Sequence, residues 1–439
     1  MDAAVDLSWM GTMDASMVEV AERVPVFAEA QMLARSTANP MELRVRTEAY
    51  LKAGHATFTD GPVNFQQEPY LSQHLSSLHI CDLQLSGQDV PSVAAWQAEL
   101  NVRVYQLSSE GAADETEGDV TSCQIWMLPA KEFHGLWDSL VYDVEVKSHL
   151  LNYAQSAMHF ADRRVDPNIV SWNRVVLLHG PPGTGKTSLC KALAHKLAIR
   201  LSDRYRFGQL VEVNAHSLFS KWFSESGKLV NKLFDTIKDL LDDPDVFVCV
   251  LIDEVESLTA ARKAALSGNE PSDAIRVVNA LLTQIDQLKE RPNVMVMTTS
   301  NITEAIDLAF VDRADIKQYI GNPSPRAIYQ ILRSCLLELM RVQIIAPAAD
   351  FLPVNALRSH HTDTTTLSDD ASASLFMCSV KANGLSGRAL RKIPFLAHAK
   401  FLRSKSASLP KYLQALQLAI EAEHAARAGG DGQGRSLGQ

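Results

Sequence analysis

Short, unbroken apolar runs alternate with amphipathic segments through the middle of this chain of 439 residues. Val175–Leu178 precedes a glycine-rich stretch, and Val246–Ile252 runs directly into Asp253 and Glu254. Continuous apolar runs are typical of strands that are buried on both faces of a parallel sheet. Further strands are predicted at residues 209–213, 293–297 and 316–320. The pattern therefore predicts an α/β fold in which helices cover both faces of a parallel sheet.

The glycine-rich stretch reads GPPGTGKT and is a candidate phosphate-binding loop. Its glycines free the backbone to wrap N–H groups around phosphate oxygens, and the following helix directs the positive end of its dipole at the same charge. Lys186 can reach the terminal phosphates, and Thr187 can ligate Mg²⁺. The predicted nucleotide-binding residues of this loop are Gly180, Pro181, Pro182, Gly183, Thr184, Gly185, Lys186 and Thr187.

Two acids, Asp253 and Glu254, end the apolar run at residues 246–252. An acid pair at the carboxyl end of a buried strand, downstream of a phosphate loop, lies where a Mg²⁺–nucleotide would bind. Asp253 is predicted to bind the nucleotide's Mg²⁺ through water, together with Thr187. Glu254 is predicted to orient and deprotonate the attacking water. The simpler alternative is a pair of surface carboxylates that cap the strand.

Three other positions each allow two interpretations. Trp222 and Phe223 precede an amphipathic helix and form either a core staple or an exposed loop that grips a substrate. Asn301 follows the strand predicted at residues 293–297 and either caps the next turn or holds the attacking water. Arg313 lies between two aspartates, where a solvated ion-pair network is the simplest interpretation.

Composition shifts along the chain predict three domains and a tail. Residues 1–125 form a separate α+β domain, residues 126–324 the nucleotide-binding subdomain, residues 325–427 a smaller helical lid, and residues 428–439 a glycine-rich, disordered tail. The acidic stretch at residues 108–119 is predicted as a solvated loop or a docking surface. Residues 359–374 are predicted as an exposed loop.

The overall charge of −9 gives no electrostatic footprint for nucleic acid or for an anionic membrane. The six cysteines contain no CxxC pair, which argues against a metal site or a disulfide framework. The apolar run at residues 246–252 is too short to span a bilayer. We expect an intracellular protein with protein or small-molecule partners.

Several long strings resemble the pachytene checkpoint protein 2 family of AAA+ ATPases, also called the thyroid receptor-interacting protein 13 family. They lie at residues 132–151, 217–230, 251–262, 270–286, 309–321 and 384–399. The resemblance covers about residues 125–425, whereas the N-terminal region resembles the family only in scattered pieces. It implies an AAA+ sheet with a helical lid, and ATP and Mg²⁺ as cofactors.

The resemblance also implies a homohexameric ring that pulls on HORMA-domain proteins, with an adaptor, and converts them between closed and open states. In the family this activity serves meiotic chromosome axes, recombination control and the spindle checkpoint, which implies a location in the nucleus and the cytoplasm. Trp222 and Phe223 match the pore loop, and Gly387 is expected beside the adenine. With Glu254, the implied catalytic residues are Asn301 as first sensor, Arg313 as arginine finger and Arg388 as second sensor.

Two other classes of function stay open. One is a nucleic-acid motor or clamp loader, although a pore facing DNA usually offers several basic residues, and this loop offers Trp222 and Phe223. The other is a scaffold that binds nucleotide without hydrolysing it, which would require a damaged catalytic set. We therefore predict an ATPase that acts on protein and contacts neither nucleic acid nor membrane.

Overall fold

A computed structural model describes residues 23–85, 88–89, 91–117, 120–143, 145–215, 226–257, 273–301, 308–354 and 371–434. The chain divides into two compact units between Leu107 and Ser108. The boundary predicted from the sequence follows residue 125. The observed boundary lies earlier because the strand at Val120–Leu128 pairs antiparallel with Phe207–Asn214 and so joins the sheet of the second unit.

The first unit is an α+β domain built on a four-stranded sheet in the order β3-β4-β1-β8. Its strands are β1 (Val24–Met32), β2 (Thr57–Phe58), β3 (Gly61–Pro62), β4 (Leu75–Cys81), β5 (Gln84–Leu85), β6 (Gln88–Asp89), β7 (Val93–Ala94) and β8 (Ala98–Tyr105). Its helices are α1 (Pro40–Gly54) and α2 (Pro69–His74). Helix α1 begins at a Pro whose preceding residue, Asn39, accepts the Met41 N–H at 2.9 Å.

The second unit contains a seven-stranded sheet in the order β15-β11-β14-β13-β12-β10-β9. Its strands are β9 (Ala113–Glu117), β10 (Val120–Leu128), β11 (Val175–His179), β12 (Phe207–Asn214), β13 (Val246–Asp253), β14 (Val294–Ser300) and β15 (Ile316–Tyr319). Strands β11 to β15 pair in parallel, whereas β9 and β10 add an antiparallel edge. The acidic stretch predicted as a loop therefore contains the edge strand β9, where charged side chains discourage pairing with another chain.

Helices cover both faces of this sheet. They are α3 (Leu136–Ser139), α4 (Val146–Asp162), α5 (Lys186–Arg200), α6 (Ser226–Leu241), α7 (Asp273–Leu288) and α8 (Leu308–Arg313). One core packs α6 and α7 on the sheet through residues such as Phe234 and Leu281, and the other packs α4 and α5 through Leu150 and Leu193. Strands β11, β13 and β14 are buried on both faces, as their continuous apolar runs predict, whereas β15 alternates half-buried and exposed residues.

A helical lid follows the sheet and has a core of its own. Its helices are α9 (Pro325–Arg341), α10 (Ala371–Lys381), α11 (Gly387–Ala397) and α12 (Leu409–Gly434). Helix α12 extends into the tail that the sequence analysis predicted to be disordered, because a helix propagates cooperatively from a good helix-forming segment. Within the described residues, no helix has both the length and the apolar character needed to cross a membrane.

Candidate active site

The phosphate loop lies between β11 and α5, at the sheet edge where the parallel strands end. Gly180 has φ +141°, and a Cβ there would lie 2.2 Å from the carbonyl oxygen of Ile320. Gly183 has φ +79°, and a Cβ there would lie 2.9 Å from Oγ of Ser386 in the lid. A side chain at either position would strain the backbone and collide with a neighbour. The glycines predicted to shape the loop are therefore also required by close packing.

Lys186 begins α5 and is buried against its own loop, with 5% of its surface exposed. Its Nζ donates to the carbonyl oxygens of Gly180 at 2.8 Å and Pro181 at 2.9 Å. Desolvation lowers the pKa of the ammonium group, and the nearby carboxylates of Glu256 and Asp253 oppose that shift. Because its partners are neutral carbonyls, this buried cation can exchange them for anionic phosphate oxygens.

The Asp253 carboxylate at the end of β13 lies beside the first turn of α5. Thr187 Oγ1 donates to its Oδ1 at 2.9 Å and approaches its Oδ2 at 3.1 Å. Thr299 Oγ1, from the neighbouring strand β14, also donates to Oδ1. A carboxylate beside a threonine hydroxyl is a set of hard oxygen ligands that suits Mg²⁺. The donor chemistry therefore fits the predicted metal, with Thr187 and Asp253 as the residues that would hold it.

Glu254 follows Asp253 with φ +61°, the left-handed region that a non-glycine residue rarely adopts. Its N–H donates to Thr299 Oγ1 at 3.3 Å, and its carbonyl oxygen accepts from Ser257 Oγ at 2.8 Å. Such a conformation costs about 1 to 3 kcal/mol and persists where surrounding contacts fix it. The chain thus turns sharply after β13, which separates the two acids of the pair.

A cavity of about 180 Å³ lies next to the phosphate loop, between the sheet and the lid. Its lining includes Tyr142, Thr184, Tyr319, Ile320 and Gly387. The mixture of aromatic, aliphatic and backbone surface suits a nucleoside. Gly387 lies in this lining, and its expected place beside the adenine stays a prediction.

The lid contacts the phosphate loop directly. The backbone N–H of Arg388 donates to the carbonyl oxygen of Gly183 at 3.0 Å, while the Arg388 side chain is exposed. Its guanidinium is close enough to contribute to the lowered pKa of Lys186, after desolvation as the main cause. A movement of the lid would therefore change the contacts of the phosphate loop.

The remaining predicted residues lie in different places. Asn301 is half-buried and follows the last residue of β14. Strand β14 lies beside β13, which ends at the acid pair. Pro182 is exposed on the loop, and Thr184 donates to the carbonyl oxygen of Pro181 at 3.0 Å. Trp222 and Phe223 lie outside the described residues.

Arg313 ends helix α8 and pairs with Asp286 on helix α7. Its Nε and Nη2 donate to the Asp286 carboxylate at 3.0 and 2.6 Å, and its Nη1 donates to the carbonyl oxygen of Ala309 at 2.8 Å. The ion-pair network predicted from the sequence involves the flanking aspartates, Asp312 and Asp315. Asp315 instead accepts the Tyr153 hydroxyl at 2.6 Å and the Arg174 N–H at 2.8 Å. The arginine-finger role of Arg313 stays a prediction.

Thr299 is a further residue of the site, and its role was not predicted from the sequence. Its side chain is 2% exposed and contacts both members of the acid pair. The available signal was the polar run Thr298–Asn301 at the end of an apolar strand, but only Asn301 was selected from it.

Three family models match consecutive parts of the chain. The ATPase family associated with various cellular activities (AAA) matches residues 176–322. The TRIP13-like, AAA+ ATPase lid C-terminal domain matches residues 324–424, and the TRIP13 N-terminal domain matches residues 21–110. These matches confirm the predicted fold class, and the AAA match covers the phosphate loop and the acid pair.

Relatives named pachytene checkpoint protein 2 homolog match nearly the whole chain. The rat relative (Rattus norvegicus) is 52% identical over 416 residues, which cover 94% of this chain and 96% of the relative. The human relative (Homo sapiens) is 52% identical over 426 residues, with 96% and 97% covered. The chain belongs to the pachytene checkpoint protein 2 family. The resemblance predicted from its sequence strings is thereby confirmed, and it extends into the N-terminal region.

Membership of the pachytene checkpoint protein 2 family also has structural support. The solved structure of C. elegans PCH-2 is 35% identical and aligns with a TM-score of 0.74, covering 92% of this chain and all of that chain. A structure of an E. coli MS115-1 HORMA:CdnC:Trip13 complex is 19% identical, with a TM-score of 0.50 over 66% of this chain and 93% of that chain, and it shares the fold. The AAA domain binds ATP, and the chain is an ATPase.

Proposed function

We propose that the chain forms a homohexameric ring that uses ATP hydrolysis to convert HORMA-domain proteins between closed and open states, with the help of an adaptor. The observation that carries this proposal is the convergence of Lys186, Thr187 and Asp253 under a lid that contacts the phosphate loop. Membership of the family supports the protein substrate, and so does a fold shared with a complex that contains a HORMA protein.

Each residue near the phosphate loop has a separate task in this proposal. Lys186 binds the terminal phosphates of ATP, and Thr187 and Asp253 hold Mg²⁺. The bound metal supplies positive charge, which neutralises the phosphates during phosphoryl transfer. Glu254 takes the proton of the attacking water, and Asn301 orients that water.

The lid and the neighbouring subunit complete the proposed cycle. Gly387 contacts the adenine and Arg388 senses the terminal phosphate, so that nucleotide state sets the lid position. Arg313 of one subunit stabilises the transition-state charge in the pocket of the next. Trp222 and Phe223 grip the substrate in the pore.

The test is a remodelling assay on the full chain with a purified HORMA-domain protein, its adaptor and ATP. Chromatographic separation of the closed and open forms should show conversion that needs hydrolysis. Glu254→Gln is the matched control, because it should bind ATP and substrate without converting the substrate. Conversion that continues in Glu254→Gln would separate remodelling from hydrolysis and contradict the proposal.

The Trp222→Ala variant separates a gripping loop from a core staple. If Trp222 grips the substrate, the variant should no longer convert the HORMA-domain protein, while its ATP hydrolysis and melting temperature stay nearly unchanged. A tryptophan buried in a core would instead cost about 3 to 5 kcal/mol on truncation and lower the melting temperature sharply. Calorimetry on the same preparation distinguishes the two.

The cellular part of the proposal places the chain at meiotic chromosome axes and in the spindle checkpoint, in the nucleus and the cytoplasm. Family membership supports it. Imaging of a tagged chain in meiotic and dividing cells tests it, and a chain that never reaches chromosomes would contradict it. A nucleic-acid motor is the competing outcome, which hydrolysis stimulated by DNA but not by HORMA protein would favour.

A further inference from the structure

We propose that Thr299 is a positioning residue for the acid pair, and that its hydroxyl sets both the Mg²⁺ affinity of Asp253 and the backbone turn at Glu254. Thr299 lies near the end of β14, one strand away from β13 in the sheet. Its side chain is 2% exposed, so its hydroxyl must find its partners inside the protein. This inference rests on the proposed role of Asp253 as a Mg²⁺ ligand.

The Thr299 hydroxyl makes two hydrogen bonds of opposite direction. It donates its proton to Oδ1 of Asp253, and it accepts the N–H of Glu254 at 3.3 Å. A hydroxyl has one proton and two lone pairs, so one group can satisfy both contacts at once. Thr299 therefore links the side chain of one acid to the backbone of the other.

The first contact fixes the orientation of the Asp253 carboxylate. Thr187 Oγ1 donates to the same carboxylate at 2.9 Å from the opposite element, helix α5. With a hydroxyl on each side, the carboxylate cannot rotate freely about its side-chain torsions. Partners that orient a metal-binding carboxylate typically contribute 10- to 100-fold in metal affinity or activity.

The second contact stabilises the strained turn after β13. Glu254 has φ +61°, and the Val255 N–H donates to the carbonyl oxygen of Thr299 at 3.0 Å. The side chain and the backbone of one residue thus receive two successive N–H groups. Thr299 thereby fixes the backbone position from which the Glu254 side chain extends.

The strand offers a matched control in Thr298. It is also 2% exposed, and its hydroxyl donates to the carbonyl oxygen of Val176 at 3.2 Å, away from the acids. Thr→Val is nearly isosteric and replaces the hydroxyl with a methyl group. Both valine variants therefore lose one buried hydroxyl. Only Thr299→Val also loses hydrogen bonds to the acid pair.

The experiment measures Mn²⁺ binding by electron paramagnetic resonance on the full chain with a non-hydrolysable ATP analogue. Thr299→Val should weaken Mn²⁺ binding by roughly 10- to 100-fold, Thr299→Ser should restore it, and Thr298→Val should leave it unchanged. In the presence of a chelator, the parent chain and these three variants should bind the ATP analogue with the same affinity. If Thr299→Val fails to fold, Thr299→Ala removes the same hydroxyl with less bulk.

Asp253→Asn separates failure of this inference from failure of the proposed site. If Asp253→Asn loses Mn²⁺ binding and Thr299→Val keeps it, Thr299 is not a positioning residue and the proposed metal site stands. If Asp253→Asn keeps Mn²⁺ binding, the metal role of Asp253 and the role of Thr299 both fall. Equal weakening in Thr298→Val and Thr299→Val would also overturn the inference, because it would show a general effect of the strand.

Discussion

The sheet edge around Asp253 and the ion-pair cluster around Arg313 both gather charged side chains from distant segments, but they satisfy those charges differently. Lys186 is held by carbonyl oxygens and Asp253 by threonine hydroxyls. Arg313 instead makes a bidentate ion pair with Asp286. A charge held by neutral groups can accept a charged ligand without losing an ion pair, whereas a charge already paired must first exchange its partner.

This difference assigns the two regions to different steps. The sheet edge is organised within one chain and is ready to bind nucleotide. Arg313 is occupied within its own chain, and on the proposed function it acts only when a neighbouring subunit brings a more strongly charged partner. Substitutions in the two regions should therefore separate nucleotide binding from turnover.

The largest effect is expected from Arg313→Ala. An arginine supplied to the transferring phosphoryl group is typically worth roughly 10³- to 10⁵-fold in rate. ATP binding should stay normal, because the sheet edge is intact, while steady-state hydrolysis falls by that order. Asp286→Asn is the matched control, since it breaks the same ion pair but keeps the arginine. If both variants lose hydrolysis equally, hydrolysis depends on the ion pair between Arg313 and Asp286, and Arg313 does not act in the pocket of another subunit.

The Glu254→Gln variant should reduce turnover by roughly 10²- to 10⁴-fold, because it removes the proposed base and keeps its shape. A fluorescent-nucleotide titration should show unchanged ATP affinity. Lys186→Ala provides the contrast within the same region, since it should weaken binding itself by removing the cation from the phosphates. Undiminished hydrolysis in Glu254→Gln would remove Glu254 from the mechanism.

A smaller effect, on stability, is expected from Arg174→Met. Arg174 is 5% exposed, and its Nη2 donates to the carbonyl oxygens of Lys289 and Arg291 after helix α7. Leaving these acceptors unsatisfied should cost about 1 to 3 kcal/mol in the free energy of unfolding. Arg291→Met, which breaks an exposed pair with Asp242, should cost at most about 1 kcal/mol. Urea unfolding of both variants tests the difference, and equal losses would contradict it.

The smallest effect concerns the Asp286–Arg313 pair itself and its pH dependence. Desolvation alone would raise the pKa of Asp286, but hydrogen bonds from Arg313 and Lys289 outweigh it and lower the pKa below its ordinary 3.8. The pair's stabilisation is therefore present above the ordinary carboxyl pKa and is lost as the pH falls through the lowered one. Since both side chains are partly exposed, Asp286→Asn should cost at most about 1 kcal/mol at neutral pH.

Urea unfolding at neutral pH and at a pH below the lowered pKa tests this sign. The difference between the parent chain and Asp286→Asn should shrink in acid. A difference that grows in acid would mean that Asp286 is not held ionised by its two cations.

The parts of this molecule that could be predicted from sequence depend on local signals. The phosphate loop and the apolar strand before Asp253 are contiguous patterns, and both lie where they were predicted. The partner of Arg313 could not be read locally, because Asp286 lies 27 residues earlier on another helix. Thr299 was missed for a related reason, since its contact with Asp253 depends on how β13 and β14 pair.

The domain boundary shows the same limit at a larger scale. Val120–Leu128 resembles an ordinary strand and could belong to either unit until its partner is known. Its pairing with β12 assigns it to the second unit. Such an antiparallel addition to a parallel sheet has no signature in the strand's own residues.

The most direct test of the account is to mix subunits that carry Arg313→Ala with subunits that carry Lys186→Ala and to measure ATP hydrolysis. Each variant should be nearly inactive alone, the first through a missing finger and the second through a missing phosphate contact. In a mixed ring, an intact pocket on one chain can meet an intact Arg313 on the next, so hydrolysis should partly return. If a tag carried by only one variant co-purifies the other variant, so that mixed rings are confirmed, and hydrolysis stays at the level of the separate variants, Arg313 does not act between subunits and its pairing with Asp286 is its role.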